Sequence, residues 1–155
     1  LATERQAQIT VFCQCYGPTP DQDDRPAARR LVHRLAVAGV AATLRDDFTD
    51  ARQAIDAYAP LALLIATRMH TAIFGFCSAV PVLLIGYQPK AVGVMATLGL
   101  QRYCLDIGAL QDAEMQQLAD ELLSEGLALR RQIAARVQPM RREAEAMTGS
   151  LRERL

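Results

Sequence analysis

An arginine and a histidine stand two residues apart inside the most apolar part of the chain. Leu61–Leu64 runs into Ile65-Ala66-Thr67-Arg68-Met69-His70, and Thr71–Ala79 resumes the apolar character. The Arg68 guanidinium stays cationic and offers a planar fork of donors that matches a phosphate or a carboxylate. His70 supplies an imidazole, the side chain suited to serve as acid, base or anion donor near neutral pH. Lys90 stands beside 16 arginines as the sole lysine, in Tyr87-Gln88-Pro89-Lys90. The chemistry these three share is recognition of an anion. Each also has a plainer reading. Arg68 fits a salt bridge to a loop carboxylate such as Asp24, His70 a bond to a nearby carbonyl, and Lys90 an ordinary surface position. Tyr87 either lines a cleft or caps the sheet. His33, between Val32 and Arg34, reads as a structural helix residue.

The elements must place these groups. Gln8–Cys15 is β-branched and apolar and ends at Gly17-Pro18, which reads as a strand. Asp24 is a candidate N-cap and Pro26 fits a first helical turn. The helix Ala27–Ala38 has Leu31, Val32, Leu35 and Ala38 on one face and ends at Gly39. A short strand (Ala41–Arg45) and a helix (Asp50–Tyr58, stopped by Pro60) follow. Leu61–Ala66 does not alternate, so it reads as a strand buried on both sides. Then come helix Thr71–Ala79, strand Val82–Gly86, helix Ala91–Leu98 and strand Tyr103–Ile107. A long amphipathic helix spans Asp112 to about Val137, with Met115, Leu118, Leu122, Leu123 and Leu127 as its stripe. Pro139 ends or breaks it, and a second helical piece runs towards Met147.

Strands alternating with helices predict α/β architecture: a doubly wound, Rossmann-like parallel sheet in order 2-1-3-4-5, as a single domain over 1–155. Ligands bind beyond the carboxyl ends of strands at the switch point of such a sheet. Two loops meet there: Tyr16-Gly17-Pro18 and Thr67-Arg68-Met69-His70. Arg68 and His70 therefore belong to the turn that leaves the core. The helix starting at Thr71 adds free N–H groups suited to an anion. Asp23 and Asp24 suit the start of the first helix through its dipole.

Composition narrows the function classes. Basic and acidic residues balance at 17 each, so nothing calls for nucleic acid or an anionic membrane as partner. The C-terminal Arg130, Arg131, Arg136, Arg141 and Arg142 mix with Glu143, Glu145 and Glu153 and read as a solvated helix face. Cys13, Cys15, Cys77 and Cys104 have no zinc-ligand spacing, so no metal site is expected. They read as small buried apolar residues in a reducing compartment, and the location as cytoplasmic. Arg68, His70 and Pro81 argue against a transmembrane segment. The polar start, without an initiator methionine, reads as a piece of a longer chain.

Arg68-Met69-His70 before an apolar helix, Val80-Pro81-Val82, Tyr87-Gln88-Pro89-Lys90, Gly93 and Leu98-Gly99-Leu100 together resemble the polysaccharide pyruvyl transferase family. The Gly-Pro of the first loop and Asp23-Asp24 fit as well. The resemblance covers about residues 8 to 107. Met69 stands where leucine is usual, and Gly93-Val94-Met95 where Gly-Phe-Met is common. The family resemblance implies the C-terminal half of a two-domain fold of the GT-B type, with the N-terminal domain absent. It implies transfer of pyruvate from phosphoenolpyruvate onto two hydroxyls of a sugar, forming a cyclic ketal in exopolysaccharide synthesis. Arg68 and His70 take the donor-holding and catalytic roles. Met69, Thr71, Lys90, Tyr87 and Gly17 complete the expected substrate-binding set. Phosphoenolpyruvate serves as donor substrate, with no cofactor, and a sugar or lipid-linked oligosaccharide as acceptor. Pairing into a homo-oligomer would cover apolar surface left by the missing domain. Two rivals use the same fold. A glycosyltransferase using a nucleotide sugar calls for an acid at the start of the helix after the third strand, where Thr-Ala-Ile-Phe stands. A non-catalytic binding module does not require Arg68 and His70.

Overall fold

A computed structural model of the chain describes residues 7–19, 22–86 and 89–152. They fall into two compact units, 1–53 and 54–155.

In the first unit, β1 (Ile9–Phe12) and β2 (Ala42–Arg45) pair in parallel, with Ile9 opposite Ala42 and Phe12 opposite Arg45. The crossover is α1 (Asp24–Val37), and it ends where Gly39 takes a φ of 74° that suits glycine. Expectation and structure differ in detail. The strand stops at Phe12, although Cys13 N–H still donates to the Arg45 carbonyl at 2.9 Å. In α1 it is Ala28 that is buried, while Leu31 is 47% exposed. The rings of Phe12 and Phe48 stack at 5.8 Å, and Arg45 lies over Phe48 while binding Asp47.

The second unit holds the larger core. After α2 (Ala51–Tyr58), strands β3 (Leu64–Ala66), β4 (Val82–Gly86) and β5 (Cys104–Asp106) form a parallel sheet in order β3-β4-β5. The central β4 is buried throughout, as its unbroken apolar run requires. α3 (Met69–Cys77) and α4 (Pro89–Thr97) supply the crossovers. A Cβ on Gly75 would stand 2.7 Å from Leu64 Cδ2 and 3.0 Å from Val82 Cγ2, so α3 approaches the sheet closely there. Ala91 of α4 packs against Gly86. Val82, Leu84 and Gly86 share one face of β4, so α3 and α4 cover the same face. Right-handed crossovers in this strand order demand that.

The sequence pattern predicts one sheet of five strands. The described strands instead form two parallel sheets, β1-β2 and β3-β4-β5, without a β1–β3 pairing among the described residues. β3 is shorter than the apolar run suggested, because Leu61 N–H bonds the Tyr58 carbonyl in a turn and pairing begins at Leu64. Nor is β3 buried on both sides, for Ile65 is 45% exposed.

The last helix, α5 (Asp112–Arg152), continues through Pro139 rather than ending there. Its break lies at Gly126, where φ 42° and ψ −117° leave the helical region in a way glycine tolerates. Leu118, Leu122, Leu129 and Ile133 form the buried stripe, and α5 packs on α3 and β4. Leu127, just beyond the break at Gly126, is 71% exposed and leaves the expected stripe. Arg130 is not on a solvated face. Its guanidinium donates to the carbonyls of Leu61 at 2.8 Å and Ala59 at 2.7 Å. Arg136 lies against Gly99 at the end of α4. Before the break, Glu121 binds Arg102 and Glu125 accepts from the Tyr103 hydroxyl.

Candidate anion-binding site

Arg68 is the N-cap of α3, with extended backbone (φ −110°, ψ 137°) and no side-chain cap bond. The helix starts two residues earlier than its apolar pattern suggested, so Met69 and His70 form its first turn. The Arg68 carbonyl accepts from Ala72 N–H at 3.2 Å, closing that turn. The N–H groups of Met69, His70 and Thr71 precede the helix's own acceptors and point out of its amino end. Arg68 is half-buried and His70 is exposed, its ring 6.5 Å from that of Phe74. Thr71 is buried, 8% exposed.

α4 begins one strand away. Pro89 occupies its first turn, where a missing N–H costs nothing, and Lys90 follows with its side chain exposed. Register sets Ala66 of β3 beside Leu84 of β4. Two positive helix ends and three cationic or protonatable side chains thus gather at the carboxyl edge of one sheet. Residues 67–71 and 89–91 include no carboxylate. Tyr87 lies outside the described residues.

The loop after β1 belongs to the first unit, and Asp23, Asp24 and Gly17 serve the loop itself. Asp23, not Asp24, is the N-cap of α1, accepting from Arg25 N–H at 2.9 Å. Its carboxylate also binds the Arg25 guanidinium, and that hydrogen bond holds it below the usual carboxylate range. Asp24, the first helical residue, turns back to accept from the N–H groups of Gln14 and Cys15, both at 2.9 Å. Gly17 N–H donates to the Gln22 carbonyl at 3.2 Å, and a Cβ at Gly17 would collide with Gln22. Tyr16 donates to the Cys13 carbonyl beneath the Arg25 guanidinium. Burial, followed by the charge of Asp24, pushes the Cys13 thiol up to about 11. All four cysteines are free thiols, but only Cys13 is buried as expected; Cys15 and Cys104 are half-buried and Cys77 is exposed.

Sequence reasoning passed over Asp106. It ends β5, opposite Gly86 of β4, at the same sheet edge as Arg68 and Lys90. Its carboxylate accepts from Gly108 N–H at 2.8 Å. Locally Asp106-Ile107-Gly108 signals only a turn at a strand end, and it is the register of β5 against β4 that brings the carboxylate to this edge.

Among the described residues no group of histidines, cysteines and carboxylates could hold a metal ion. No described helix is long and apolar enough to cross a membrane. No family model matches the chain, and no solved structure does. The chain is similar to the amylovoran biosynthesis protein AmsJ of Erwinia amylovora, 29% identical over 139 residues. That match covers 89% of this chain and 33% of AmsJ, so the chain spans about a third of its relative.

Proposed function

We propose that this chain is the donor-binding part of a polysaccharide pyruvyl transferase acting in exopolysaccharide biosynthesis. One observation carries the reading: Arg68, His70 and Lys90 stand at the amino ends of α3 and α4, on adjacent strands of one sheet. Phosphoenolpyruvate presents a phosphate and a carboxylate on neighbouring atoms, so its site needs more than one cationic group. The likeness to an amylovoran biosynthesis protein supports the class of pathway. A Rossmann-like half of a GT-B fold belongs to the same reading, and the parallel β3-β4-β5 sheet is compatible with it.

In this reading Arg68 grips the donor with its guanidinium fork, and Lys90 adds charge at the phosphate. His70 gives a proton to the methylene carbon, which becomes a methyl group. A sugar hydroxyl adds to the neighbouring carbon and returns its proton to His70. The carbon–oxygen bond to phosphate then breaks. The second hydroxyl closes the cyclic ketal, and its proton departs with the phosphate. Arg68 and the N–H groups of α3 stabilise the charge that builds on the leaving group. Phosphoenolpyruvate is made inside cells, so the reaction is placed in the cytoplasm, on a sugar or lipid-linked oligosaccharide.

The test is a titration with phosphoenolpyruvate followed by amide NMR, on the native chain and on Arg68→Ala. A nucleotide sugar serves as rival ligand. Shifts at residues 68–71 with phosphoenolpyruvate, lost in the variant, are expected. Shifts with the nucleotide sugar alone would replace pyruvyl transfer with glycosyl transfer.

A further inference from the structure

Lys90 can reach the proposed donor only if the first turn of α4 lies close to the carboxyl edge of the sheet. The next residue shows how that turn is held. Ala91 is 5% exposed, and its methyl group faces Gly86, the last residue of β4. A Cβ on Gly86 would stand 3.1 Å from Ala91 Cβ and 3.3 Å from Cys104 Sγ. Both separations are shorter than optimal contact between such atoms. Cys104 can turn its thiol aside. The methyl group of Ala91 has no rotamer and moves only with its helix. Gly86 is extended like the rest of β4 and has no positive φ, so its conformation does not call for glycine. The close approach of α4 does.

Resting on the donor site proposed above, we infer that Gly86 is a positioning residue for Lys90. Its missing side chain lets the amino end of α4 lie against β4, and that sets where the Lys90 charge stands. The other end of the helix is anchored separately, for Met95, Leu98 and Leu100 are all buried. A group added at Gly86 therefore tilts α4 about that anchor, and the displacement is largest at the first turn. Close-packed interiors transmit such strain rather than absorb it. Lys90, next to Ala91, moves with the turn. Arg68 and His70 belong to the start of α3, so the loss falls chiefly on the Lys90 contact.

The experiment is a double-mutant cycle on phosphoenolpyruvate affinity, read by amide NMR at low and high ionic strength. It compares the native chain, Gly86→Ala, Lys90→Ala and the double variant. Gly86→Ala is expected to weaken binding a few-fold, as Lys90→Ala does, and the double variant to be little weaker than either. The salt dependence that Lys90 contributes should shrink in Gly86→Ala as well. Adding Ala91→Gly to Gly86→Ala removes the opposing methyl group and should restore native affinity. Should Gly86→Ala not fold, Ala91→Val crowds the same contact from the helix side and takes its place in the cycle. Losses that multiply in the double variant would mark Gly86 as structural only and overturn the inference, as would unchanged affinity in Gly86→Ala. If phosphoenolpyruvate leaves the native amides of residues 68–71 and Lys90 unmoved, the donor site itself falls, and the positioning role with it. The native chain thus tells the two failures apart.

Discussion

Two loops that look alike in the sequence have opposite uses of their polar groups. The loop after β1 holds a glycine, three aspartates and an arginine. Asp24 accepts from two backbone N–H groups, Asp23 binds Arg25, and Gly17 N–H is taken by Gln22. These groups are engaged within the loop and its helix start. The loop after β3 has no side-chain cap on its helix, and His70 and the helix N–H groups face outward. Polar residues that cap a helix and ion-pair within their own turn mark that turn as structural, and the proposed donor site draws instead on the exposed His70 and the amino end of α3.

The sharpest way to break this contrast is Asp24→Ala. It strips the acceptor from two part-buried N–H groups. Hydrogen bonds to a charged acceptor contribute about 1.5–3 kcal/mol each, and some recovery by water is expected. Urea unfolding of the first unit should show a loss of about 3 kcal/mol, with no change in the phosphoenolpyruvate shifts at residues 68–71. If donor shifts vanish while stability holds, the two loops have been assigned backwards. Arg68→Lys asks the reverse question. It keeps the charge and loses the fork, so donor affinity should fall about 10- to 30-fold by NMR titration.

Acid offers a milder probe. Asp23 has its pKa lowered in the folded state from an ordinary value of 3.8, through the hydrogen bond from Arg25. A depressed carboxylate contributes stability above the unfolded value and loses it as pH falls through the folded one. Thermal melts should thus weaken below about pH 4, and Asp23→Asn should flatten that part of the profile. The smallest effect belongs to Lys90→Ala. An exposed point charge is screened by salt, so donor affinity should drop only a few-fold at low ionic strength and less at high. Equal loss at both ionic strengths would place Lys90 in direct, desolvated contact.

The periodic parts of the fold were legible in the sequence. The run Val82–Gly86 could only be a covered strand, and β4 is one. The apolar helix after Arg68 was legible, though its first turn was not, because Met69 and His70 look like loop residues until Arg68 is seen to cap them. Asp23 and Asp24 changed places, since adjacent aspartates are equal as caps and a bond to residues 14 and 15 decides between them. Such contacts span the loop and leave no local pattern. Gly126 carried a readable signal, an isolated glycine in a helical stretch, but Pro139 drew the attention instead. Proline removes one helical bond, yet α5 continues through Pro139. At the candidate site, the cations were legible by type and spacing. Asp106 was not, because only the register of β5 against β4 brings it to the same edge.

Arg130 has a consequence for the order of assembly. It satisfies carbonyls that precede it by 69 and 71 residues, in the turn that launches β3. During synthesis that turn leaves the ribosome long before its partner does, and water must serve those carbonyls meanwhile. Closing so long a loop is slower than pairing β3 with β4 nearby, although the entropic penalty grows only gently with length. The turn at the amino end of β3, at the opposite end of the strand from Arg68 and His70, is thus set in place late, by the final helix, and a chain shortened before α5 should form the strands without fixing that turn.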